Sequence, residues 1–70
     1  MLPIALAGVG EVNIIKKISG KPEVKKHLES LGFVVGAHTV LISRIGENVI
    51  VRIKESRVAV SREMAQKIMI

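Results

Sequence analysis

Two histidines and two glutamates are the side chains whose types and spacing suit acid–base chemistry or metal binding. His27 and His38 could each act as a general base, and Glu23 or Glu29 could join them around a metal ion. Catalysis also needs a nucleophile beside its base or paired carboxylates, and a metal site needs three or four converging ligands. The chain has no cysteine and no aspartate. We therefore predict no catalytic residue, no metal ligand and no bound cofactor.

The excess of basic over acidic residues indicates an anionic partner. Eleven Lys and Arg residues stand against six Glu, which gives a net charge of +5. Binding of single-stranded nucleic acid relies on aromatic platforms on which bases stack, and Phe33 is the one aromatic residue in the chain. Nucleic acid is therefore disfavoured, as is a groove for proline-rich peptides. An acidic protein surface and a lipid headgroup stay open as partners.

Two groups of side chains are predicted as contact surfaces for a protein. The first is the end of a predicted helix, where two lysines flank an apolar rim, formed by Lys25, Lys26, Leu31, Phe33 and Val34. The second is a basic face on predicted strands, formed by Arg44, Arg52, Lys54 and Arg57. A basic strand face is more often a solvated exterior than a docking surface.

Residues 22–36 predict one complete helix with both ends marked. Its apolar stripe at helical spacing consists of Val24, Leu28 and Leu31. Pro22 suits the first turn, where its missing N–H costs no hydrogen bond. At the other end Gly32 can adopt the left-handed conformation that closes a helix. Phe33, just beyond, is expected to fold back onto the last turn.

The rest of the chain is patterned as short strands separated by turn residues. β-Branched and alternating apolar residues predict five strands, at residues 11–18, 37–45, 49–54, 57–61 and 68–70. A chain of 70 residues is too small to cover a flat sheet on both faces, and closing the sheet removes exposed edges. We therefore predict an all-β small barrel. It is a five-stranded SH3-like barrel with one inserted α-helix between strands 1 and 2, and it forms a single domain over residues 1–70. A helix packed on an open sheet is the alternative.

The mostly apolar N-terminal segment does not match a targeting sequence. Residues 1–9 lack a basic start, and Pro3 and Gly8 interrupt the apolar run. No stretch reaches the ~20 apolar residues of a membrane-spanning helix. We expect a soluble, cytoplasmic protein with no direct membrane insertion, and the lack of cysteine fits that compartment.

Four short segments keep a particular order and spacing along nearly the whole chain. They are Ile18-x-Gly20, Leu28-x-x-Leu31-Gly32-Phe33-x-x-Gly36, Arg52-Ile53-x-x-x-Arg57-Val58-Ala59-Val60 and Glu63-x-Ala65-x-x-Ile68-x-Ile70. No segment is specific alone, but together they resemble the FeoA family of small ferrous-iron-transport accessory proteins. That resemblance implies an SH3-like barrel in the cytoplasm that acts with the Feo ferrous-iron transporter, whose cytoplasmic portion includes a GTP-binding domain. It does not by itself imply that this chain binds iron.

The leading functional prediction is an interaction module that is not an enzyme. The barrel would dock on the cytoplasmic domain of the ferrous iron transporter, a membrane protein, and bias its conformation or assembly. The FeoA barrel is also similar to the C-terminal domain of iron-dependent repressors of the diphtheria-toxin-repressor type, so a detached regulatory domain is one alternative. Strands with apolar residues on both faces, such as residues 40–42 and 49–51, favour another, a self-associating structural subunit that forms a homo-oligomer.

Overall fold

Short strands make up most of the fold, with one longer helix among them. The computed structural model describes all 70 residues. It contains six strands in two sheets, a nine-residue helix and two short helical turns. In chain order the elements are a 3₁₀ turn at Ile4–Leu6, β1 at Val12–Ile14, β2 at Lys17–Ile18, α1 at Pro22–Ser30, β3 at His38–Ile45, β4 at Asn48–Ile53, β5 at Ser56–Ser61, α2 at Arg62–Ala65 and β6 at Ile68–Met69.

The predicted first strand is wrong as a single strand, because the chain passes there from one sheet to the other. β1 pairs antiparallel with β3 at one edge of the four-stranded sheet β1-β3-β4-β5, whereas β2 pairs with β6. Toward β3, the N–H of Ile15 donates to the carbonyl of Ala37 at 3.0 Å. Toward β6, the N–H of Lys16 donates to the carbonyl of Met69 at 2.8 Å. Six strands therefore replace the five predicted, and α1 lies between β2 and β3.

A β-bulge in β3 changes which side chains of this strand face the core. The pairing of β3 with β4 shifts by one residue between Leu41 and Ser43, so Ile42 is the extra residue. A shift of one residue moves every later side chain to the opposite face of the sheet. Arg44 is therefore opposite Val49, whose side chain is fully buried, and it lies on the core side of the sheet.

α1 ends at Ser30, in the glycine cap that the sequence predicts. The N–H of Gly32 donates to the carbonyl of Glu29 at 2.9 Å. The N–H of Phe33 donates to the carbonyl of Leu28 at 3.0 Å, and these two bonds together form a Schellman motif. Gly32 has a φ of +104°, which turns the chain out of the helix and would strain any other residue.

One continuous aliphatic core connects the strands with α1. It consists of fifteen buried side chains, namely Ile4, Ala5, Ala7, Ile15, Ile18, Leu28, Phe33, Leu41, Val49, Val51, Ile53, Val60, Ala65, Ile68 and Ile70. The one buried polar side chain is Thr39, whose hydroxyl donates to the carbonyl of Arg52 at 3.2 Å. No helix in the fold has the length and apolar character needed to cross a membrane.

The first and last residues of the fold pair with each other. The N–H of Leu2 donates to the carbonyl of Ile70 at 3.0 Å, and the N–H of Ile70 donates back to the carbonyl of Leu2 at 2.8 Å. Pro3 forms a further bridge with Met69 in β6. The N-terminal segment therefore extends the small sheet of β2 and β6.

Candidate docking face

The side of the four-stranded sheet that faces away from the core carries a line of side chains across all four strands. Val12 in β1 is opposite Val40 in β3, and Val40 is opposite Arg52 in β4. Arg52 is in turn opposite Arg57 in β5. Opposed residues in antiparallel strands project from the same face. We call this line the outer row, consisting of Val12, Val40, Arg52 and Arg57.

The outer row is apolar at one end and basic at the other. Val12 is 64% exposed and Val40 is half-buried, whereas both arginines are exposed. Ile14 extends the apolar end, because alternation places it on the same face as Val12 and it is 48% exposed. Exposed aliphatic side chains bordered by charged ones are typical of surfaces that bind proteins. The arrangement therefore suits contact with a partner.

The two arginines of the outer row face each other without an intervening strand. Like charges at directly opposed positions destabilise a sheet. Lys54 lies beside Glu55 in the turn after β4, so their charges offset each other, and Lys54 has the left-handed φ of +55°. This backbone conformation is less favourable for lysine than for glycine. An anionic group from a partner would relieve the repulsion between the arginines.

Arg44 is not part of this basic face, which corrects the prediction for this residue. The bulge in β3 turns its side chain to the core side of the sheet. Its Nη2 donates to the carbonyls of Ala5 at 2.8 Å and of Ala7 at 2.7 Å, and its Nε donates to Ala5 at 3.2 Å. Arg44 therefore holds the segment before β1 against β3, and its guanidinium is committed to the fold.

The aromatic residue predicted for the rim at the end of α1 is buried. Phe33 has 0% exposure and offers no surface to a partner, which corrects the prediction for this residue. Leu31 is half-buried and packs against the core. Lys25 and Lys26 are exposed, and Val34 is 39% exposed. Of this predicted surface, the two lysines are therefore exposed, and Val34 is its one exposed apolar residue.

The side chains that could bind a metal do not come together. No group of three or more His, Cys, Asp or Glu side chains lies close enough to hold a metal ion. His27 is exposed on α1, whereas His38 begins β3 opposite Ile14. The histidines of the sequence are thus on separate elements, and no ligand set assembles around either.

A polar cleft of about 400 Å³ lies beside α2, lined by Glu47, Asn48, Ser61, Arg62, Glu63 and Gln66. Its polar groups contribute to the fold. The N–H of Arg62 donates to the carbonyl of Glu47 at 2.8 Å, and its Nη2 donates to that of Gly46 at 3.2 Å. The hydroxyl of Ser61 accepts from the N–H of Met64 at 3.1 Å and caps α2. The bonds from Arg62 join the β3–β4 turn to α2, and the Ser61 hydroxyl is engaged as the cap of that helix.

The sequence alone does not identify Val12 and Ile14 as surface residues. Their alternation with Asn13 puts both on one face of a strand, but that pattern usually marks the face that packs on the core. The register with β3 shows which face they are on, because Val12 is opposite Val40 on the side away from the core. Sequence reasoning therefore finds the basic end of the outer row and misses its apolar end.

Comparison with known proteins identifies the family. The FeoA domain matches residues 2–70 of this chain. A protein of Methanocaldococcus jannaschii named "Putative Fe(2+) transport protein A" is 36% identical over 70 residues, which cover 100% of this chain and 85% of that protein.

Solved structures share the fold. A Stenotrophomonas maltophilia FeoA complexed with zinc, described as an SH3 domain protein, has a TM-score of 0.85 at 16% identity over 99% of this chain and 88% of that one. A manganese-dependent transcriptional repressor has a TM-score of 0.85 at 19% identity, over 94% of this chain and 38% of that one. These likenesses confirm the predicted SH3-like barrel. On the family match and the identity to the archaeal relative, the chain belongs to the FeoA family.

Proposed function

We propose that this protein is a non-enzymatic accessory protein of ferrous iron transport that docks on the cytoplasmic part of the Feo iron transporter. Support comes from its membership of the FeoA family and its match to a relative named for Fe(2+) transport. In this proposal residues 1–70 form one cytoplasmic domain that acts through contact and biases the conformation or assembly of the transporter.

The outer row is the observation that carries this proposal. Its valines supply apolar area that a partner can bury, and its opposed arginines supply a positive charge that a partner can neutralise. A net charge of +5 would also speed the encounter with an acidic protein surface. The partner surface that fits is therefore acidic beside an apolar patch.

Binding to the purified cytoplasmic portion of the transporter tests the proposal. One variant combines Arg52→Glu with Arg57→Glu, and its matched control combines Lys25→Glu with Lys26→Glu. Both reverse two adjacent exposed charges and lower the net charge equally. We expect the sheet variant to bind about tenfold or more weakly and the helix control to change by less than about threefold, measured by isothermal titration calorimetry.

Two results would contradict this proposal. If the unmodified protein does not bind at about 100 µM, the docking function itself fails. If the helix variant loses more affinity than the sheet variant, docking takes place at the end of α1 and the outer row is not the contact surface.

A second copy of this chain would also cover exposed valines, so self-association needs its own test. We expect a monomer in sedimentation at several concentrations, because two copies with a charge of +5 each repel one another. A dimer that forms through the outer row would favour the structural-subunit alternative. The regulatory-domain alternative depends on the fold shared with the manganese-dependent repressor, and at 19% identity that likeness carries no function.

A further inference from the structure

β5 is an edge strand whose backbone is paired on one side. It is the last strand in the order β1-β3-β4-β5. Its register with β4 is regular along its whole length, from Ser56 opposite Ile53 to Ser61 opposite Asn48. An edge strand presents N–H and C=O groups that a further strand can pair with.

The register decides which residues of β5 present those groups. The N–H of Arg62 donates to the carbonyl of Glu47 at 2.8 Å, which continues the β4–β5 ladder by one pair. Bonded and non-bonded pairs alternate in an antiparallel ladder, so residues 56, 58 and 60 bond to β4. Arg57 and Ala59 therefore direct their N–H and C=O groups away from the sheet.

The charges beside this edge define what could pair with it. A strand added to β5 would place one side chain directly opposite Arg57, at about 4.5–5.5 Å between Cβ atoms. The guanidinium groups of Arg44 and Arg62 donate to backbone carbonyls, whereas those of Arg52 and Arg57 make no hydrogen bond within the fold, and these two arginines face each other. An acidic side chain at the opposed position would neutralise part of this repulsion, and a basic one would increase it.

The other edge of the sheet is less suited to an added strand. β1 has three residues, and β5 has six. Natural proteins use very short edge strands to prevent pairing. An added strand on β1 would also meet the apolar side chains of Val12 and Ile14 on the outer face.

We infer that the β5 edge accepts an extended acidic segment of the partner as a fifth strand of this sheet, with an Asp or Glu side chain opposite Arg57. This inference rests on the proposed function, since the partner is the cytoplasmic part of the transporter. Backbone hydrogen bonds would hold the segment, and the arginines would select its charge. A second copy of β5 would bring another Arg57 and no acidic side chain to this edge, so it is disfavoured.

Substitution of Ala59 separates strand addition from side-chain contact. Ala59→Pro removes an N–H that points away from β4, and proline is tolerated in edge strands where its nitrogen faces solvent. The matched control Ala59→Val keeps that N–H and adds a side chain of similar size. Against the cytoplasmic portion of the transporter, we expect Ala59→Pro to bind about tenfold or more weakly and Ala59→Val to change by less than about threefold.

Amide hydrogen exchange on the unmodified protein gives an independent measurement, which decides the question if Ala59→Pro does not fold. We expect the amides of Arg57 and Ala59 to exchange at least about tenfold more slowly in the complex, and those of Lys25 and Lys26 on α1 to keep their rates. If the unmodified protein binds but neither amide slows, strand addition is wrong while docking stands. A folded Ala59→Pro variant that binds with unchanged affinity would also show that strand addition is wrong while docking stands. If the unmodified protein does not bind at all, the proposed function fails and this inference fails with it.

Discussion

Arg44 connects two parts of the chain through a planar group that can reach two carbonyls at once. Its Nη2 lies 2.8 Å from the carbonyl oxygen of Ala5 and 2.7 Å from that of Ala7. A lysine has one compact ammonium group and does not reproduce this fork. The residue is therefore matched to its position by donor geometry as well as by charge.

Replacement of Arg44 should weaken the fold more than replacement of an outer-row arginine. We expect Arg44→Ala to lower the free energy of unfolding by about 2 kcal/mol, because it removes charged donors from two carbonyls. Arg57→Ala, which removes no hydrogen bond within the fold, should change it by less than about 0.5 kcal/mol. Urea denaturation of both variants checks this expectation, and equal losses would contradict the structural role of Arg44.

At the scale of elements, the Schellman motif determines where α1 ends and how the chain reaches the core. An added Cβ at Gly32 would lie 3.5 Å from Cγ1 of Ile53, which is an ordinary contact. The demand for glycine at this position therefore comes from its φ of +104° and not from lack of space.

Gly32→Ala should destabilise the protein through backbone strain alone. We expect a loss of about 1–2 kcal/mol in the free energy of unfolding, the cost of a left-handed conformation for a residue with a Cβ. Gly32→Asn should lose less, because asparagine tolerates this region better. Thermal unfolding followed by circular dichroism measures both. Equal midpoints for the alanine variant and the unmodified protein would show that the turn relaxes.

The elements differ in how well the sequence predicts them. The start and cap of α1 are predictable because Pro22 and Gly32 carry local conformational constraints. The division of the first strand is not, because apolar residues continue through Ile15 without a turn residue, and only pairing with two different strands separates the halves. The bulge after Leu41 is equally hidden, since no glycine or proline marks it.

The same hidden bulge explains the mixed outcome for the predicted basic face. Arg52 is exposed on β4, as simple alternation suggests, whereas Lys54, predicted as the last residue of that strand, is exposed in the turn after it. Arg44 lies beyond the bulge, so alternation assigns it to the wrong side. The sequence therefore predicts Arg52 and Arg57 at the candidate site but assigns Arg44 to the wrong face of the sheet.

At the scale of the whole molecule, the core depends on aliphatic side chains and one aromatic ring. Phe33 is fully buried among them. Small domains have total stabilities of roughly 0.05–0.15 kcal/mol per residue. A single large deletion in this core can therefore remove much of the total stability of the protein.

Phe33→Ala should remove a large part of the free energy of unfolding and raise the unfolded fraction measurably. Loss of a buried phenylalanine costs about 3–5 kcal/mol, against a total of roughly 3.5–10 kcal/mol for a chain of this size. Phe33→Leu should cost less than Phe33→Ala, because it leaves a smaller cavity, and should stay folded. Dispersion of amide resonances distinguishes the two variants. A well-folded Phe33→Ala variant that no longer binds the partner would instead indicate that Phe33 belongs to the contact surface.

The pairing of Leu2 with Ile70 imposes an order on folding during synthesis. The β3–β4–β5 meander uses contacts between near neighbours in sequence, so it can form early. The bonds between Leu2 and Ile70, and the pairing of β2 with β6, cannot form until residue 70 has left the ribosome. Until then the nascent chain exposes Ile4, which is fully buried in the finished fold. The barrel therefore closes late. Before it closes, its apolar N-terminal segment is exposed and available to a chaperone.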